Sequence, residues 1–177
     1  MNHEEFLKSV NRWDEHTYNT PARAVQAWKD MTSGYYVNLD KEMTVFPNEG
    51  YTSPVGMHQI EFSSLCEHHM LPFVGEVTVV YIPSGWIVGL SKIPRVVDCF
   101  SRRLQTQERL TKQIADYLQE RLLPTGVFVK IESWHSCVSC RGIKSRNSST
   151  VTAFGIGSLT STRKQSQLQS LLFGGNK

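Results

Sequence analysis

Residues 64–70 read S-L-C-E-H-H-M and set Cys66, Glu67, His68 and His69 side by side. Cysteine sulfur and histidine nitrogen are the donors zinc takes in tetrahedral geometry, and Cys66 and His69, three apart, can serve one ion from one turn. A second stretch, W-H-S-C-V-S-C-R-G at 134–142, adds His135, Cys137 and Cys140. Side chains two apart in a strand share a face, so a strand running through 137 would set His135 beside a Cys137 ligand.

Two sites compete. In a closed one, Cys66, His69, Cys137 and Cys140 fill all four positions and zinc only holds the fold. In an open one, Cys66, His69 and Cys137 bind zinc and water takes the fourth position with its pKa lowered to about 7. The C-x-x-C spacing at 137–140 favours the closed site. The spare histidines, His68 and His135, each beside a ligand position, favour the open one, because proton transfer at neutral pH needs groups that titrate there.

A polyanion and a base edge also have candidate partners. L-S-K-I-P-R at 90–95 puts Ser91, Lys92 and Arg95 at the start of a helix, where free N–H groups and the dipole suit phosphate. Arg141 adds a cation beside Cys137. Gln107-Glu108 opens the next helix, and a glutamate there can accept from an N–H/NH2 edge such as that of guanine. Each has a plainer alternative: a solvated charged helix end for the first, ordinary first-turn stabilisation for the second.

Elements must bring these segments together. Helical spacing predicts a helix over 4–14 and another from the Thr20-Pro21 cap to Gly34, followed by an irregular connection over 37–57. Strands are expected at 58–64 and 76–82, with 86–90 pairing back as a hairpin. Two helices follow, one after a Ser91 cap and one over 107–122 with Leu110, Ile114, Leu118 and Leu122 on a stripe. Strands at 127–135 and 150–156 flank a linker at 136–149, and a helix near 163–172 precedes a Gly-Gly tail. Strands, two helices, then strands argue an α+β domain with an antiparallel sheet covered on one face.

The 177 residues suit a single unit, divided here as an N-terminal helical region (1–50) and a main domain (51–177). The net charge of +3 comes without a Lys/Arg-rich run, which argues against a nucleic-acid partner. No apolar run reaches the roughly 18 residues of a membrane span, and the acidic start M-N-H-E-E-F is unlike a signal peptide. Four cysteines without such a signal read as ligands or reduced thiols, which points to the cytoplasm.

Together, S-L-C-E-H-H-M-L-P-F, G-L-S-K-I-P-R, S-R-R-L-Q-T-Q-E-R-L-T-K-Q-I-A and H-S-C-V-S-C-R-G-I resemble GTP cyclohydrolase I, and the similarity spans roughly 19–157. The resemblance implies a tunnelling fold, an antiparallel four-stranded sheet with two helices on one face, assembled into a homodecamer of two stacked pentamers with active sites between subunits. It implies zinc on Cys66, His69 and Cys137, catalytic His68 and His135, triphosphate contacts from Ser91, Lys92, Arg95 and Arg141, and guanine contacts from Gln107 and Glu108. The implied reaction turns GTP and water into 7,8-dihydroneopterin triphosphate and formate, as a first step towards folate, another pterin cofactor or 7-deazaguanine nucleosides. Val138 stands where the family usually has methionine, Cys140 is not a family ligand position, and the short N-terminal extension suggests no regulatory segment. Two other readings remain: a nitrile-reducing enzyme of this fold, and a closed structural-zinc protein.

Overall fold

The computed structural model describes residues 1–174, except the side chain of Leu171. Gly175 of the expected Gly-Gly tail, with Asn176 and Lys177, lies outside the described residues.

The chain starts with α1 (His3–Ser9), capped reciprocally by Asn2 and Glu5, and α2 (Thr20–Met31). Asn11 at φ 56° breaks the first helix well before residue 14. Asn19, not Thr20, occupies the cap position of α2, and a 3-10 turn over Ser33–Tyr36 follows its end. Neither helix buries a residue, and Phe6, Val10, Trp13 and Val25 stand exposed. The expected irregular connection contains α3 (Leu39–Glu42) and β1 (Val45–Pro47).

The main sheet is built from β2 (Val55–Cys66), β3 (Pro72–Ile82), β6 (Gly126–His135) and β7 (Thr150–Gly157), all antiparallel neighbours in that order. A two-residue strand, β5 (Leu104–Gln105), adds in parallel beside the end of β2. β4 (Trp86–Val88) pairs with β1 and not back onto β3 as the hairpin reading expected. Its three residues complete a separate two-stranded ribbon.

Alternation decides which face is buried. Ile60, Phe62, Val77, Val79, Tyr81, Val127, Val129 and Ile131 form one face of the core. Against it lie α4 (Lys92–Ser101) with Ile93, Val96 and Val97, and α5 (Gln107–Leu122) with its leucine stripe. Each large aliphatic side chain so buried contributes about 1.5–3 kcal/mol of transfer free energy. On the opposite face, Val80, Phe128 and Leu159 meet Leu168, Leu172 and Phe173 of α7 (Thr162–Phe173). α7 therefore adds a smaller second layer behind the antiparallel sheet with its two helices.

Glycine is needed at Gly75. A Cβ there would collide with Glu132 O of the neighbouring strand, so the close approach of β3 to β6 below the site depends on it.

Candidate functional site

One end of the sheet collects the chemistry. β2 ends at Cys66, a tight turn carries Glu67 to Leu71, and β3 starts at Pro72. The turn is closed by its own backbone: Cys66 O accepts from Met70 N at 2.8 Å, and Cys66 N donates to Leu71 O at 2.9 Å. Met70 takes the left-handed conformation at φ 51° to allow it. Glu67 N donates to Gln105 O at 3.1 Å, which ties the turn to β5 and to the start of α5.

β6 delivers the other half. His135 is its last residue, opposite Phe73. The strand does not run through 137, so the shared-face argument for His135 and Cys137 fails. A helical turn, α6 (Ser136–Ser139), swings Cys137 over instead. Ser136 Oγ donates to Pro72 O and Ser139 Oγ to His135 O, which pins that turn to both strands.

The donor atoms of Cys66, His69 and Cys137 lie within 4.8 Å of one another. Cys66 Sγ is 3.8 Å from His69 Nδ1. Tetrahedral zinc with Zn–S near 2.3 Å and Zn–N near 2.0–2.1 Å requires donor separations of about 3.5–3.8 Å, so the set fits such an ion. Burial, with Cys66 close by, pushes the Cys137 thiol above its ordinary pKa, while Arg141 pulls the other way. A thiol that resists ionising is the situation a divalent cation reverses. Cys140 is exposed and stands outside the ligand group.

Around these three residues a cavity of about 350 Å³ is lined by His68, His135, Glu108 and Val138 among others. His68 Nδ1 approaches Cys66 Sγ at 3.9 Å, and its Nε2 lies 3.9 Å from Glu67 Oε1. Burial holds His135 below the usual imidazole range, opposed by the Glu108 carboxylate. Glu108 is exposed in the first turn of α5, which Thr106 caps by accepting from Arg109 N at 3.3 Å.

The other sequence candidates fall differently. Ser91 and Arg95 are exposed, Lys92 is half-buried, and none of the three lines this cavity. Ser91 makes no side-chain cap bond, and Arg95 Nη1 pairs with Glu42 Oε2 at 3.0 Å. Arg141 is exposed and acts on Cys137 by its charge. Gln107 is buried, and its carboxamide is fully engaged by protein groups. Its side chain thus has no hydrogen-bonding capacity left for a guanine edge. Sequence reading missed Arg109, whose Nη2 lies 2.6 Å from Glu67 Oε2. An arginine far along the chain gives no local signal of such a partner.

Fold and site define an α+β protein with a Cys2His group that could hold a metal ion at the end of an antiparallel sheet. The family model described as GTP cyclohydrolase I matches residues 3–172. GTP cyclohydrolase 1 of Parabacteroides distasonis is 44% identical over 155 residues, covering 86% of this chain and 79% of that one. GTP cyclohydrolase 1 of Bartonella quintana is 46% identical over 142 residues, covering 79% and 69%. The Deinococcus radiodurans protein of the same name is 50% identical over 136 residues, covering 76% and 62%. The chain belongs to the GTP cyclohydrolase I family. Among solved structures, an archaeosine synthase QueF-Like in the apo form aligns with TM-score 0.49 at 18% identity, over 63% of this chain and 99% of that chain.

Proposed function

We propose that this protein converts GTP and water into 7,8-dihydroneopterin triphosphate and formate, the entry reaction of pterin and folate or 7-deazaguanine biosynthesis. The observation that carries the reading is the convergence of Cys66, His69 and Cys137 with His68, His135 and Glu108 around one cavity.

Cys66, His69 and Cys137 would hold zinc, which when bound supplies Lewis-acid polarisation and an activated water at neutral pH. His68 and His135 move protons during opening of the imidazole ring and loss of formate. Glu108 accepts from the N–H/NH2 edge of guanine and orients the base. A nucleoside triphosphate needs more cover than this cavity, which is at the small end of the roughly 300–1,000 Å³ of ligand sites.

That shortfall supports assembly. Ser91, Lys92, Arg95 and Arg141 bind the triphosphate, the first three contributed from a neighbouring copy of the chain. β7 and most of β2 have open edges, and the apolar faces of α1 and α2 lack cover. A homodecamer of two stacked pentamers in the cytoplasm satisfies these surfaces.

The test is incubation of zinc-loaded protein with GTP, with detection of formate and of an oxidised fluorescent pterin. Turnover no greater than that of Cys137→Ala overturns the proposal. A zinc absorption-edge spectrum with three sulfurs and no water oxygen would favour the closed structural site instead.

A further inference from the structure

Gln107 opens α5 and is 2% exposed. Its Nε2 faces Ile131 O at 3.1 Å, Thr150 O at 3.0 Å and Thr152 Oγ1 at 3.1 Å. Backbone carbonyls accept and never donate, so the amide nitrogen must point at them, and the orientation of the carboxamide is settled. The hydroxyls beside it agree. Thr111 Oγ1 donates to Gln107 O at 2.7 Å, so the Thr152 hydroxyl donates to Thr111 Oγ1 at 2.6 Å and keeps its own oxygen as an acceptor.

Oε1 therefore faces the other way. It accepts from Ser133 Oγ at 2.6 Å and stands 2.8 Å from His135 Nε2. An amide oxygen cannot donate, so the proton of this second bond belongs to His135 Nε2. The ring is held in place as well, stacked on Phe73 at 4.6 Å with 4° between planes. Phe73 is itself fully buried.

We propose that Gln107 is a positioning residue: its carboxamide oxygen holds His135 in the Nε2–H tautomer, so that Nδ1 is the nitrogen that exchanges protons in the cavity. The inference rests on the reading of His135 as a proton carrier given above. In that role Nδ1 takes a proton from the reacting group, and the ring becomes imidazolium while Nε2–H stays bonded to Gln107. Return of the same proton restores the starting tautomer. Without the acceptor the ring could carry its proton on Nδ1 and present no lone pair there. Gln107 then acts on the rate and not on substrate affinity.

The experiment has two arms. Magic-angle-spinning 15N spectra of sedimented, zinc-loaded protein with 15N-histidine, with His135 assigned by subtraction of a His135→Asn spectrum, should show a protonated Nε2 and a bare Nδ1. For Gln107→Met, kcat should fall about 10²-fold while KM for GTP changes by less than about threefold. Gln107→Glu keeps an acceptor against Nε2 and should retain at least about tenfold more activity than Gln107→Met. A wild-type Nδ1–H signature overturns the proposal. So does a raised KM at unchanged kcat, or an equal loss in both variants with the His135 tautomer intact. If wild-type protein fails to turn over GTP, the functional reading falls, while the 15N spectrum still decides the tautomer.

Discussion

Glu67 Oε2 lies 2.6 Å from Arg109 Nη2, and this pair joins the turn that carries two metal-ligand candidates to the first turn of α5. The guanidinium hydrogen bond holds the Glu67 carboxyl below its ordinary pKa. Glu67 thus has a role that its position between Cys66 and His68 does not reveal: it fixes the spacing of the ligand turn from Glu108. Arg109→Ala should weaken zinc binding by about 10-fold or more, as loss of outer supports does elsewhere, with little change in the urea midpoint for a solvent-exposed pair. Chelator competition measures the first and a urea midpoint the second. Unchanged zinc affinity would mean that the backbone bonds of the turn hold it unaided.

Cys137 and Cys140 should separate cleanly. Cys137→Ala removes one of three converging donors and should abolish stoichiometric zinc, whereas Cys140→Ser touches an exposed thiol outside the group and should leave zinc and turnover unchanged. Metal analysis after gel filtration reads both. Loss of zinc in Cys140→Ser would restore the closed site.

Legibility from sequence followed the range of the interactions. α5 could be bounded because Gln107-Glu108 and the leucine stripe speak within one helix, while its Thr106 cap went unread. The start of β3 was hidden because Pro72 and Gly75 read as breakers, yet Pro72 is the first residue of the strand and Gly75 permits a close strand contact. β4 pairs with β1, a choice between distant segments that local spacing cannot express. The residues that meet around the cavity, Cys66, His68, His69, Glu108, His135 and Cys137, could be picked out by type and spacing. What the side chains beside them bind could not be read: Gln107 turns inward to Ser133 and His135, and Glu67 outward to Arg109. Those choices depend on three-dimensional neighbours.

Arg95 offers a test of the triphosphate reading. In the single chain its guanidinium is held by Glu42 at 3.0 Å, with both side chains about half exposed. A carboxylate on a phosphate-binding arginine competes with substrate, so Glu42→Gln should lower KM for GTP by about two- to fivefold at unchanged kcat, the scale of one surface ion pair. Steady-state kinetics at fixed ionic strength decide it. An unchanged KM, with Arg95→Ala equally silent, would remove Arg95 from the substrate site.

Tyr117 gives the fold a pH-dependent joint. Burial and then a hydrogen bond to Asp40 push its phenol up to about 12, with Oη donating to Asp40 Oδ1 at 3.2 Å. A raised folded pKa means that the unfolded chain loses its proton first. The contribution is therefore complete below the unfolded value near 10 and is lost as pH rises through about 12. Tyr117 is half-buried, so screening reduces the contribution to about 1 kcal/mol. Tyr117→Phe keeps the ring against Phe100, at 5.7 Å between centroids, and removes only the hydroxyl. Urea midpoints at fixed protein concentration should show wild type more stable at pH 8, with the gap closing between pH 10 and 12. Because Asp40 also meets Arg121 at 3.5 Å, the lost contacts all join α3 to α5, and hydrogen exchange in residues 38–43 should quicken first at alkaline pH. A gap that stays constant across that range would place the stabilisation in ring packing and not in the Tyr117–Asp40 bond.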